Sequence, residues 1–201
     1  MIITVKELIT KKNKYEVVFS NNDSILANEE LVLRYRLVKG KELEEAILDE
    51  IKSDAISMEF YDKALNYLSK GLKSTKRIKD YLKEKKASEN DINKVITLLN
   101  ERKLLNDEIY FKSLTSHYIR QGYGVLYIKQ KAFEQGINRE ICNNVLNEYN
   151  DEDYLEYAKL LKNKKVNSLK HEPDLKDIIK VKKYLYNRGY DQAIIEKAFK
   201  E

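Results

Sequence analysis

Residues 128–141 read IKQKAFEQGINREI, and residues 181–194 read VKKYLYNRGYDQAI. The two strings share one phrase, Ile128–Gly136–Ile137–Asn138–Ile141 against Val181–Gly189–Tyr190–Asp191–Ile194, offset by 53 residues. Fifty residues before the first, Ile78–Lys86–Ala87–Ser88 states it more loosely. A second phrase, Asp107–Tyr110–Phe111, returns 44 residues later as Asp151–Tyr154–Leu155. Self-similarity at a period of about 20–50 residues marks stacked helical units, none of which buries enough apolar surface alone. Such units build long surfaces that hold a polymer or a partner, and they rarely enclose a catalytic pocket.

Working outward, the helical period is unbroken from residue 55. Ile56, Phe60, Ala64, Tyr67 and Leu68 form one apolar stripe, ending at Gly71. Ser74 is placed to cap the next helix, and Ser88-x-x-Asp91 resembles a capping box before Ile92, Val95, Ile96 and Leu99. Asn106 caps the following stretch, and Gly71, Gly122, Gly136 and Gly189 all stand where a helix stops, as residues taking positive φ do. Four segments result: 1–53, then three-helix units at 54–105, 106–149 and 150–201. The first differs in kind. Ile2–Leu8, Tyr15–Phe19 and Ile25–Ala27 are β-branched and aromatic runs, separated at Lys11–Lys14 and by the turn signal Asn21-Asn22-Asp23-Ser24. They predict a small antiparallel ribbon, followed by a short helix capped by Asn28 and a second over Lys41–Ile51. The fold class is therefore mainly α: three tandem three-helix repeats in an elongated, curved body, with a small N-terminal β-ribbon plus helices.

Composition narrows the chemistry. A formal charge of +5 on 201 residues, 35% of them charged, points mildly to an acidic partner. The lone Cys142 excludes an internal disulfide and, with only His117 and His171, argues against a Cys/His metal site. No apolar run approaches membrane-spanning length and none opens the chain as an export signal, so the expected location is cytoplasmic. No phosphate-binding glycine loop, nucleophile elbow or zinc-protease motif occurs, which predicts a protein with no catalytic residues, metal or cofactor. Gly122-Tyr123-Gly124 lies between helical stretches with no strand before it and reads as a helix–helix turn. Asp107/Glu108 and Asp151/Glu152 fall in first turns, where carboxylates offset the helix dipole.

Basic residues carry the stronger signal. Lys70, Lys73, Lys76, Arg77, Lys79 and Lys83 belong to a stretch, 70–86, with a local excess of six positive charges. The analogous helix of the second unit offers Arg120, Lys129 and Lys131, and that of the third Lys182, Lys183 and Arg188, beside Lys180. A basic middle helix in each unit suits a phosphate backbone or an acidic protein groove. Tyr81, Tyr123, Tyr127, Tyr184 and Tyr190 lie nearby as candidate base-stacking rings, although most of the 15 tyrosines belong to the core.

Ala64-Leu-Asn-Tyr-Leu68-Ser69 followed by Lys73-Ser74 resembles the opening motif of the RecX regulatory proteins. Leu105-Asn-Asp107-Glu-x-Tyr110, then Tyr118-x-Arg120, Gly124, Ile128 and Gly136-Ile137, resembles that family's second block. The ribbon with Leu37-Val-Lys-Gly40-Lys-Glu-Leu43 looks like the extension of its Gram-positive branch, so the likeness spans essentially the whole chain. It implies a non-enzymatic modulator of the RecA recombinase in recombination, DNA repair and the SOS response. Such a protein acts as a monomer on the RecA–single-stranded DNA filament, touching DNA directly or through the filament, and inhibits its ATPase, strand exchange and co-protease activity. Departures from the family pattern include Gly71 and Lys73 where arginines are usual, Val125 for a proline, Tyr127 for an arginine and Gln135 for a lysine. Arginine-to-lysine loses the bidentate fork. The alternative is a helical-repeat protein that binds nucleic acid without RecA.

Overall fold

The computed structural model describes residues 2–11 and 14–200. Strands β1 (Ile2–Lys11), β2 (Lys14–Phe19) and β3 (Ser24–Ala27) form the expected ribbon, and β4 (Glu42–Glu44) extends it to a four-stranded antiparallel sheet, ordered β3-β2-β1-β4. Two residues of the expected Lys11–Lys14 separation, Lys12 and Asn13, lie outside the described residues. Period-two alternation turns Val17, Phe19, Ile25 and Ala27 to one face. There they join Ile3 and Val5, Leu31 of α1 (Glu29–Tyr35), and Leu48 and Ile51 of α2 (Glu45–Leu68) in one buried cluster. Asn28 caps α1, its side chain accepting from Leu31 N at 2.9 Å.

Two boundaries differ from expectation. Leu43 belongs to β4, not to a helix, because Ile2–Thr4 of β1 pair with 42–44 and turn Leu43 inward. The helix read over Lys41–Ile51 and the stripe from residue 56 are one 24-residue helix, α2, so the division drawn between 53 and 54 falls inside it. No glycine or proline interrupts Ile51–Ile56, and Ser53 does not cap a new helix.

The remaining helices are α3 (Thr75–Glu84), α4 (Glu89–Glu101), α5 (Asp107–Arg120), α6 (Val125–Glu134), α7 (Arg139–Leu146), α8 (Asp151–Val166), α9 (Leu175–Asn187) and α10 (Gln192–Lys200). In each trio the first helix lies against the third: α2 on α4, α5 on α7, α8 on α10. The middle helices carry the repeat as predicted. Ile78 and Leu82, Ile128 and Ala132, Val181 and Leu185 occupy equivalent positions and are all buried. The chain forms two compact units, the first of residues 1–72 and 78–104, the second of 73–77 and 105–201. The core of the second runs from Phe111 through Ile128, Val145 and Tyr154 to Ala198. Among the described residues no helix is long and apolar enough to cross a membrane.

Each middle helix ends in a left-handed residue at the same repeat position, Lys86 (φ 64°), Gly136 (φ 68°) and Gly189 (φ 84°). A side chain there costs about 1 kcal/mol unless glycine supplies the conformation. Lys86→Gly is therefore expected to stabilise the chain by about 0.5–1 kcal/mol, read as a higher urea midpoint at unchanged slope.

Ser88 caps α4 as expected: Asp91 N donates to Ser88 Oγ at 3.2 Å, and the same hydroxyl donates to the Asp91 carboxylate. Ser57 of α2 donates to the same carboxylate at 2.7 Å, joining the first and third helices of the trio. Burial of Asp91 works against its charge, but the bonds from Ser88 and Ser57, with Lys94 nearby, outweigh it and hold the carboxyl below its usual value. A carboxyl depressed on folding stabilises above its unfolded pKa, and that stability is lost as pH falls through the folded value. Asp91→Asn is expected to cost about 1–3 kcal/mol at pH 7, with the gap to the wild type narrowing below about pH 4 in denaturant titrations.

Candidate nucleic-acid and partner interface

Three devices hold the first turn of α3. Ser74, fully buried, accepts from Arg77 N at 3.2 Å. Asp107, in the first turn of α5, accepts from Thr75 N at 2.7 Å, so it caps another helix besides countering its own dipole. Lys76 reaches Glu134 O at the end of α6, Nζ donating at 2.7 Å. That bond satisfies a carbonyl left over at a helix C-terminus. The start of one middle helix is thus fixed to the end of the next within the second unit.

The α6–α9 crossing repeats this arrangement with backbone alone. Gly124 N donates to Arg188 O and Leu126 N to Gly189 O, both at 2.9 Å. A Cβ on Gly124 would lie 2.3 Å from Gly189 O, and one on Gly189 would lie 2.4 Å from Tyr127 N. Arg188 closes the crossing from outside. Its Nη1 donates to Gln121 O at 2.7 Å, and its guanidinium stacks on Tyr123 and Tyr184 at 4.7 and 5.4 Å.

The twelve candidate basic residues divide accordingly. Lys76 and Arg188 hold helix ends. Lys83 pairs with Glu89 at 2.8 Å, Lys131 with Glu134 at 2.7 Å, and Lys182 with Glu196 at 2.8 Å. The neighbouring carboxylates raise the pKa of Lys83 and of Lys131. Lys73, half-buried, leads into α3. Lys70, Arg77, Lys79, Arg120, Lys129 and Lys183 form no ion pair among the described residues, and all but the half-buried Lys79 are exposed. Aligning the repeats on Ile78, Ile128 and Val181 puts Lys79, Lys129 and Lys182 at one shared position.

The aromatic candidates are largely committed to the fold. Tyr123 and Tyr127 stack on each other at 4.1 Å, and Tyr81 stacks on Tyr67 at 4.3 Å. Tyr190, 1% exposed, is a core residue and presents no face for a base, a correction to its reading as a stacking ring. The cause is legible in the repeat, where it aligns with Ala87 and the buried Ile137. Cys142 is buried, and burial raises the pKa of its thiol. Asp107 and Gly124 are the positions whose roles spacing did not reveal, because their partners lie 32 and 64 residues away.

The family model for the first three-helix domain of RecX matches residues 61–99, and that for the third matches 151–199. Regulatory protein RecX of Listeria monocytogenes serotype 4a is 33% identical over 151 residues, covering 73% of this chain and 55% of the relative. The chain thus spans little more than half the length of such Listeria relatives. Its counterpart in Enterococcus faecalis is 27% identical over 197 residues, covering 97% of this chain and 74% of the relative. Among solved structures, a regulatory protein RecX superposes with a TM-score of 0.87 at 23% identity, covering 99% of this chain and all of the other, a likeness of fold. RecX from Lactobacillus salivarius superposes with 0.64 at 28% identity, over 72% of this chain and 94% of that one.

Proposed function

Because the chain belongs to the RecX family of regulatory proteins, we propose that it is a non-enzymatic, cytoplasmic regulator that binds the RecA–single-stranded DNA filament. There it inhibits or limits ATP hydrolysis, strand exchange and co-protease activity. The observation that carries this reading beyond family membership is the lysine shared by the middle helices, Lys79, Lys129 and Lys182; Arg77, Arg120 and Lys183 are further cations that form no ion pair among the described residues. Recurring cations at a fixed place in repeated units suit a repeating polyanion or a helical protein lattice. Contacts tethered on one chain bind as a set, since only the first bears the full loss of rigid-body freedom. No bond need be made or broken: preferential binding to one filament state shifts RecA toward that state.

The test is ATP hydrolysis by the cognate RecA on single-stranded DNA, with this protein titrated from substoichiometric amounts. Inhibition well below one molecule per RecA is the expected result. No inhibition at equimolar protein, with tight DNA binding in RecA's absence, would establish the DNA-only alternative. Salt gives an independent check, because DNA-only binding weakens log-linearly and steeply with salt, and a contact dominated by protein does so less.

A further inference from the structure

In the second unit, α6 and α7 border a cleft of about 480 Å³. Its floor is the buried Ala132, Ile137 and Cys142, and its rim carries Lys129, Phe133 and Arg139. Phe133 is 84% exposed, more than any other large apolar side chain among the described residues. The equivalent positions of the other middle helices, Lys83 and Tyr186, also face solvent, so packing does not require an apolar side chain here. A large exposed aromatic beside an apolar recess is the usual form of a contact site. Lys129 and Arg139 form no ion pair among the described residues, leaving two cations at the rim. Lys129 and Asn143 also line a second, smaller cleft of about 160 Å³ with Asn147 and Asp151.

We propose that this cleft is a protein-docking site, taking a bulky apolar side chain flanked by carboxylates on the surface of the partner. The apolar floor accepts a side chain, Phe133 covers it, and Lys129 and Arg139 meet the flanking acids. A nucleic-acid strand fits less well, since it is tracked by a line of cations with several open aromatic faces, and here a single exposed ring borders an apolar recess. The proposal rests on the filament reading and makes RecA protein, rather than DNA, the occupant.

Cys142 is the chain's single cysteine and lines the floor, so its alkylation reports occupancy in the unaltered protein. N-ethylmaleimide labelling, followed by mass spectrometry, would be timed for the protein alone, with single-stranded DNA, and with RecA filaments assembled on that DNA with ATPγS. Labelling is expected to slow about tenfold with filaments and to be unchanged by DNA alone, and Phe133→Ser and Arg139→Glu are each expected to weaken filament binding about tenfold. Neither substitution removes a core contact, and a carboxylate at the start of α7 favours the helix dipole. Protection by DNA alone would overturn the proposal in favour of a nucleic-acid site. Filament binding with unprotected Cys142 and wild-type affinity in both variants would overturn the cleft while leaving the filament reading intact. Failure of the wild type to co-sediment with filaments would overturn the filament reading, and this proposal with it.

Discussion

Gly189→Ala is expected to lower the stability of the chain by about 4 kcal/mol, and Gly124→Ala by about 3 kcal/mol or more. Two causes add at Gly189. Its φ of 84° is unfavourable for any side chain, and the new Cβ would sit 2.4 Å from Tyr127 N and 2.5 Å from Tyr127 Cβ. Gly124 has ordinary backbone angles, but its Cβ would sit 2.3 Å from the Gly189 carbonyl oxygen. Neither obstacle is a flexible side-chain end that swings aside. Relief requires the helices to separate, which breaks the bonds from Gly124 N and Leu126 N and unstacks Arg188 from Tyr123. Gly136→Ala serves as the control. It shares the left-handed conformation, but its new Cβ would meet Lys76 Cβ and Cδ only at 2.9 Å, a milder overlap than the 2.4 Å at Gly189, so a smaller loss of about 2 kcal/mol is expected. Urea denaturation of the three variants checks the order. Equal losses at 136 and 189 would show that backbone conformation dominates and that the close crossing is unimportant.

That series also marks what the sequence made legible. The alignment of Ile78, Ile128 and Val181 placed the buried face of every middle helix, and the positions eight residues later became the left-handed ends at 86, 136 and 189. These are local properties, set by periodicity and by residues within one turn. Caps at Asn28, Ser88 and Asn106 were legible for the same reason. β4 was not, because Glu42–Glu44 has no strand signal of its own and is defined by pairing with Ile2–Thr4. Nor was the continuity of α2, because the stripes ending at Ile51 and starting at Ile56 read as two helices, and the segment between them is helical within one element packed against α4. In the candidate site the charge was legible and its use was not. Lys76 and Arg188 read as ligand-binding cations and instead bond to backbone carbonyls at the ends of other helices. Arg77 and Lys129 form no ion pair and have no such structural use among the described residues.

On the proposed function, Arg77→Glu with Lys79→Glu is expected to weaken inhibition of RecA about tenfold or more while leaving the fold as stable as before or slightly more so. The two signs separate function from folding. The first turn of α3 contains no acidic residue, and Lys76 and Arg77 place positive charge at the positive end of the helix dipole. Lys76 has a structural reason to be there in its bond to Glu134 O, but Arg77 is exposed and forms no ion pair among the described residues. A glutamate at its position would face the favourable end of the dipole. It would also complete a Ser-x-x-Glu capping box with Ser74, which already accepts from the backbone of residue 77. Local helix energetics thus favour the reverse of the charge that is present, which points to a role for Arg77 outside the fold. If Arg77 and Lys79 each neutralise a phosphate, the log–log salt slope of binding should fall by about two in the double variant. If they face protein carboxylates instead, affinity should fall with little change in DNA-dependent slope. Wild-type inhibition by a well-folded double variant would remove α3 from the interface and leave Lys129, Arg120 and Lys183 to carry it.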